Sequence, residues 1–310
     1  MPIVAVVGAG LVGRSWAVVF ARAGFEVRVT DSSAEALAAA PGLIRQGLED
    51  LAAHGLVKDV KTSCTGVTCV PFLAEAVAGV DLVQESGPEN VEIKKELFAQ
   101  LDRFAPPSAI LASSTSFIVA SHFSEGLKGR ERCMVAHPVN PPHLVPIVEL
   151  CGAPWTSAKA IERARALYEQ ADQVPITVHK EVDGFVLNRL QAALLAESFR
   201  LVGEGVVSPQ DLDKTIKDGL GLRWSFMGPF ETIELNAPGG IGDYCARYAG
   251  SLRQLTSEPP SASVWDEANI GRILSAWGRT PSPDEIAKAS AWRDKRLAAL
   301  KAHKQQQPKN

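Results

Sequence analysis

Long apolar runs are missing from this chain. No stretch approaches the roughly 20 residues a helix needs to cross a bilayer, so no membrane span is expected. No excess of one charge is present either: 32 basic side chains face 35 acidic ones, for a formal net charge of −3. That balance, with no Arg or Lys interleaved with aromatics, argues against a nucleic-acid partner. Cysteines are few, five in all, and scattered. Cys64 and Cys69 have no second Cys or His pair to complete a zinc site, so no metal is expected. Free thiols in a reduced cytoplasmic compartment are the simplest reading. The N-terminus runs straight into a strand-like segment, so no secretory signal is expected. There is no internal repeat. The remainder is ordinary globular composition, 46% apolar and 22% charged over 310 residues, enough for two domains.

What is present is concentrated at the start. The β-branched run Ile3-Val4-Ala5-Val6-Val7 leads into Gly8-Ala9-Gly10-Leu11-Val12-Gly13. A strand, then Gly-x-Gly-x-x-Gly, then a helix is the pattern of a dinucleotide-binding turn. Gly8 permits the tight turn, Gly10 lets backbone approach a pyrophosphate, and Gly13 allows helix to pack on strand. The N–H groups of Leu11, Val12 and Gly13 open the helix and face the phosphates. Val12, Trp16, Val19, Phe20 and Ala23 then line one helical face. A second strand, Phe25 to Thr30, delivers Asp31 at its carboxyl end. An acid there binds the adenosine ribose hydroxyls and repels a 2′-phosphate, favouring NAD over NADP. Asp31 as a plain helix cap before Ser32-Ser33 is the alternative.

Further strands are expected at 67–70, 81–85, 109–113, 133–136, 146–150 and 174–178, with helices at 35–54, 91–104 and 156–171 between them. Such alternation predicts an α/β fold with a parallel, doubly wound sheet. After Asp183-Gly184 the strand-like runs stop, and Leu187, Leu190, Leu194 and Leu201 follow helical spacing. The expected organisation is a Rossmann-type domain over 1–184 and an all-α domain over 185–310.

Alcohol oxidation by a nicotinamide enzyme needs a base for the hydroxyl proton and donors that hold the oxygen. In such folds ligands lie beyond the carboxyl ends of the strands. His137 directly follows one strand, and Glu149 ends the next, where it could accept the second imidazole N–H. Ser116 follows the strand at 109–113, while Asn140 and Asn188 are neutral donors. A structural histidine, and serines at 113–116 that only cap a helix, are the alternatives at this point.

These same residues carry a resemblance. Gly8 to Trp16, Ser113-Ser114-Thr115-Ser116, Val135-Ala136-His137-Pro138-Val139-Asn140-Pro141-Pro142, Val148-Glu149-Leu150, Gly184 to Gln191, Gly228 to Thr232 and Trp292-Arg293-Asp294 are similar to the 3-hydroxyacyl-CoA dehydrogenase superfamily, and in particular to its lambda-crystallin branch. The resemblance runs nearly end to end. It implies NAD as cofactor, His137 as base with Glu149 as partner, and Ser116 and Asn188 on the substrate oxygen. It further implies cofactor contacts at Asp31, Glu89 and Lys94, and a homodimer built through the helical domain. The branch implies a small L-gulonate-like 3-hydroxy acid as substrate. Pro138-Val139 stands where the acyl-CoA enzymes carry two aromatics, which argues against a large thioester. A free carboxylate needs a cation, and Arg223 is the candidate, with Arg189 as competitor. Turnover of CoA thioesters, and a non-catalytic NAD(H)-binding crystallin-like role, are the rival readings.

Overall fold

Eight short segments rich in β-branched and apolar residues become strands of one sheet. The computed structural model describes residues 1–308. The strands are β1 (Ile3–Val7), β2 (Glu26–Thr30), β3 (Val67–Cys69), β4 (Leu82–Glu85), β5 (Ile110–Ser113), β6 (Cys133–Pro138), β7 (Ile147–Gly152) and β8 (Val174–Val178), in the order β3-β2-β1-β4-β5-β6-β7-β8. Central strands β4, β5 and β6 are buried throughout, which is why they read as continuous rather than alternating runs.

Pleating divides the strand residues between two cores. Val4, Val6, Ile110, Ala112, Met134 and Ala136 pack with Trp16, Phe20, Ile44, Leu48 and Tyr168 on one face. Ala5, Val7, Leu111, Cys133 and Val135 pack with Phe98, Leu101, Phe123 and Phe185 on the other. Helix α1 (Leu11–Arg22) closes the first face through Trp16, whose ring lies 5.4 Å from Phe20 and 5.5 Å from Tyr168. The helix at Val91–Phe104 starts where Asn90 accepts the Glu92 and Ile93 N–H groups, and buries Phe98 and Leu101 on the second face.

The sheet is not wholly parallel. β6 and β7 pair antiparallel, and β8 runs parallel to β7. The segment 139–146 between β6 and β7 holds no helix, and a chain that short cannot make the crossover a parallel pair requires.

Two compact units are present. One combines Met1–Asn188 with the chain from Asp284 onward; the other is Arg189–Pro283. The expectation of one helical domain over 185–310 differs from this grouping at its far end. The last helix (Pro283–Gln306) belongs to the sheet-bearing unit. Ala298 is buried in the first core with Leu297 and Ala302 against it, and Lys301 Nζ donates to the His143 carbonyl at 3.3 Å. Three small apolar contacts and a lysine stem are enough to dock a helix whose other sides are solvated. The second unit is all helical, and Asn269 fastens it internally by donating to the carbonyls of Phe199 and Val264.

Candidate active site

Strand order reverses between β1 and β4, and a crevice opens there at the carboxyl ends of the strands, where such sheets take their ligands. A cavity of about 780 Å³ lies at this point, lined among others by Gly8, Gly10, Asp31, Ser86, Pro88 and Leu97. The glycine turn is required sterically. Gly8 sits at φ +107°, and a Cβ there would meet the Ser86 carbonyl oxygen at 2.6 Å; one on Gly13 would meet the Gly8 carbonyl oxygen at 1.7 Å. Gly10, by contrast, faces open space. The N-terminus of α1 has no side-chain cap, so the first N–H groups of the helix, at Leu11, Val12 and Gly13, are left for an anion.

Asp31 is not the cap of the next helix. Ser33 does that work by accepting from Ala36 N–H. Asp31 Oδ2 instead accepts from Ala9 N–H at 2.6 Å, and Oδ1 from Ser33 N–H at 2.7 Å. The carboxylate therefore ties the end of β2 to the glycine turn while lining the cavity. An open glycine, a free helix terminus and a fixed acid match the pyrophosphate and the adenosine ribose of NAD.

A second set of polar groups continues the apolar rows of the opposite core. Val83 is followed in the same row by Glu85, Leu111 by Ser113, and Val135 by His137, each two residues on. The row places polar side chains at the ends of adjacent strands on one face. Antiparallel register sets His137 directly opposite Glu149. Imidazole Nδ1 lies 2.7 Å from Glu149 Oε2, with the two side chains 5% and 1% exposed. Glu149 Oε1 accepts from the N–H groups of Val186 and Leu187 at 2.9 and 3.0 Å. Three N–H groups thus converge on this carboxylate. With Nδ1–H donating to Oε2, a neutral imidazole carries its free lone pair on Nε2. Nε2 makes no hydrogen bond among the described residues, yet it is absent from the side-chain atoms sealed without a partner.

Ser116 and Asn188 meet: Asn188 Nδ2 donates to the Ser116 carbonyl at 2.8 Å. The serine hydroxyl makes no hydrogen bond among the described residues. The Ser113–Ser116 segment does not cap a helix. Ser113 Oγ donates to Glu85 at 2.5 Å and accepts from Thr115 N–H, and Ser114 Oγ gathers Trp16 Nε1, Gln84 Nε2 and the Ser86 hydroxyl. Glu89 accepts from the Thr115 hydroxyl and from Phe117 N–H. Lys94 lies at the other end of this network. Its ammonium is buried and pairs with Glu85 at 2.9 and 3.0 Å, a role that neither the helical pattern nor the resemblance predicts. Asn140 is exposed and makes no contact that brings it to His137. Arg189 and Arg223 lie in the second unit, both exposed, Arg223 on the short helix Gly221–Trp224.

Phe185 is the residue that sequence reasoning passed over. It is fully buried, and its ring centroid lies 5.5 Å from that of His137. Only its place in the Gly184-Phe185-Val186-Leu187-Asn188 run pointed to it.

A glycine turn, an acid at the end of β2 and an imidazole–carboxylate pair at the strand ends are the parts a nicotinamide-dependent dehydrogenase class of site needs. Comparison with known proteins agrees. Residues 3–182 match the NAD binding domain of 3-hydroxyacyl-CoA dehydrogenase, and residues 184–272 match its C-terminal domain. The chain belongs to the 3-hydroxyacyl-CoA dehydrogenase family, whose cofactor is NAD. It is 42% identical to rabbit (Oryctolagus cuniculus) lambda-crystallin over 312 residues, covering 98% of each chain. It is 35% identical to L-carnitine dehydrogenase of Streptomyces coelicolor, covering 94% of this chain and 91% of that one. Among solved structures, a 5-formyl-3-hydroxy-2-methylpyridine 4-carboxylic acid 5-dehydrogenase, an NAD+ dependent dismutase, superimposes with a TM-score of 0.84 at 26% identity, covering 99% and 100% of the two chains.

Proposed function

We propose that the protein oxidises the 3-hydroxyl of a small free hydroxy acid to the 3-oxo acid. The observation that carries this reading is the His137–Glu149 pair, with Nδ1 engaged and Nε2 unbonded. In the proposed reaction His137 Nε2 takes the hydroxyl proton, Glu149 stabilises the imidazolium that results, and Ser116 and Asn188 hold the substrate oxygen. NAD, when bound, supplies the hydride acceptor; Gly8, Gly10, Gly13 and Asp31 hold it, with Glu89 and the Lys94–Glu85 pair fixing the wall beside it.

A free acid is favoured over a CoA thioester by Pro138-Val139 in place of bulky aromatics, and by the likeness to an L-carnitine dehydrogenase, named for a free hydroxy acid. The substrate carboxylate is assigned to Arg223, with Arg189 second. The second unit exposes Leu190, Leu222, Phe226, Phe230, Leu235 and Leu255, each at least 64% accessible, which supports a homodimer formed through its helices. No described helix is long and apolar enough to cross a membrane. A panel of L-gulonate, L-carnitine, short 3-hydroxy acids and 3-hydroxybutyryl-CoA at matched concentration, followed by NADH absorbance, tests the reading. Turnover confined to free acids supports it; a preference for the thioester overturns the substrate class, and no turnover at all overturns the enzymatic reading.

A further inference from the structure

We infer that Phe185 is a positioning residue for the His137–Glu149 pair, acting through a left-handed turn just before the helix Leu187–Gly203. Three observations converge on it. Gly184 and Phe185 are consecutive residues at φ +75° and +49°. For glycine that conformation is free, but for a bulky aromatic it is unfavourable and persists only where surroundings impose it. Phe185 N–H is tied back to the Val182 carbonyl at 3.0 Å, which closes the turn. The Phe185 ring is fully buried and lies beside the His137 imidazole at an interplanar angle of 38°.

The same turn acts on both members of the pair. On the side-chain side, the ring blocks rotation of the imidazole out of line with Glu149. On the backbone side, leaving the left-handed region at Phe185 aims the next two N–H groups, those of Val186 and Leu187, at Glu149 Oε1. An extended residue at 185 would turn them elsewhere. One carboxylate is thus held by the turn through Oε1 and holds the histidine through Oε2. Phe185 has no polar atom to contribute to chemistry, so its effect reaches the reaction only through these neighbours.

The inference rests on His137 as base, and the test separates the two. His137→Ala, Phe185→Leu, Phe185→Tyr, Glu149→Gln and the Phe185→Leu/Glu149→Gln double variant are compared for kcat, KM and NADH binding by fluorescence. Phe185→Leu is expected to lower kcat at least tenfold with NADH affinity within threefold of the parent, and Phe185→Tyr to retain most of the rate. In the Glu149→Gln background the same Leu change costs less than threefold, because the alignment it removes is already gone. Nitrogen NMR of the His137 ring gives a readout independent of turnover. The parent shows one tautomer protonated at Nδ1, and Phe185→Leu shows a mixture. Additive losses in the double variant, or an unchanged tautomer, overturn the inference while leaving His137 in place. Full turnover by His137→Ala overturns the reading beneath it. If Phe185→Leu fails to fold, Phe185→Met takes its place, with the same thresholds deciding.

Discussion

Replacing Lys94 by methionine separates a structural role from direct cofactor binding. The Lys94 and Glu85 side chains are 1% and 0% exposed, with Nζ 2.9 Å from Oε2. Removing one member of a buried pair strands the other charge, at a cost of about 3–5 kcal/mol. Glu85 keeps two donors after the change, Ser113 Oγ and Gly87 N–H at 2.5 and 2.6 Å, which puts Lys94→Met near the lower end, about 3 kcal/mol. For a unit of this size each kcal/mol moves the melting midpoint by about 2–4 °C, so a fall of roughly 6–12 °C is expected. Adding Glu85→Gln removes the stranded charge and should recover most of the loss, since replacing both partners of a buried pair is often close to neutral. The assay is thermal unfolding followed by circular dichroism, with NADH affinity measured on the same three proteins. Affinity should fall with stability in the single variant and return in the double. A single variant melting within about 2 °C of the parent would refute the reasoning. So would an affinity that stays low after stability is restored, which would make Lys94 a direct cofactor ligand.

Two further outcomes are expected. Asp31→Asn keeps an acceptor for Ala9 N–H but loses the charge, so NADH binding should weaken about tenfold or more and the preference for NADH over NADPH should narrow in isothermal titration; an unchanged preference contradicts the ribose assignment. Burial holds the His143 imidazole down at about 4 from its ordinary 6.5, so the folded protein keeps it neutral where the unfolded chain is already protonated. Stability from this group is therefore complete above pH 6.5 and drains as pH falls toward 4, by roughly 3 kcal/mol. His143→Gln should flatten urea-unfolding stability across that window, and an unaltered slope would show that His143 is not the source.

The glycine turn was legible because strand, spacing and helix each carry independent sequence signals that must agree. The helix Val91–Phe104 was legible as a helical stretch between two strand-like runs, whereas its Asn90 cap and its buried Phe98 and Leu101 emerge only in the structure. Strand direction was not: a run such as Ile147–Gly152 has the same pattern whichever way it points. Docking of the final helix onto the sheet-bearing unit was hidden because Leu297, Ala298 and Ala302 are too small a seam to stand out among charges. His137 and Glu149 could be named as candidates from their place after strands, but their meeting depends on register, which period-two patterning does not set between strands. Lys94 reads as solvated in a helical pattern, and its burial follows only from the polar row Glu85–Ser113 that tertiary pairing assembles. Phe185 was hidden most deeply, because no propensity predicts a phenylalanine in the left-handed region.

The most direct measurement is single-turnover hydride transfer by His137→Ala with saturating NAD and a free hydroxy acid that the parent oxidises. Loss of a general base at this position predicts a rate at least about a hundredfold lower, with NADH still bound at parental affinity. A rate within tenfold of the parent would contradict the account at its centre, because the imidazole beside Glu149 would then have no part in the proton transfer.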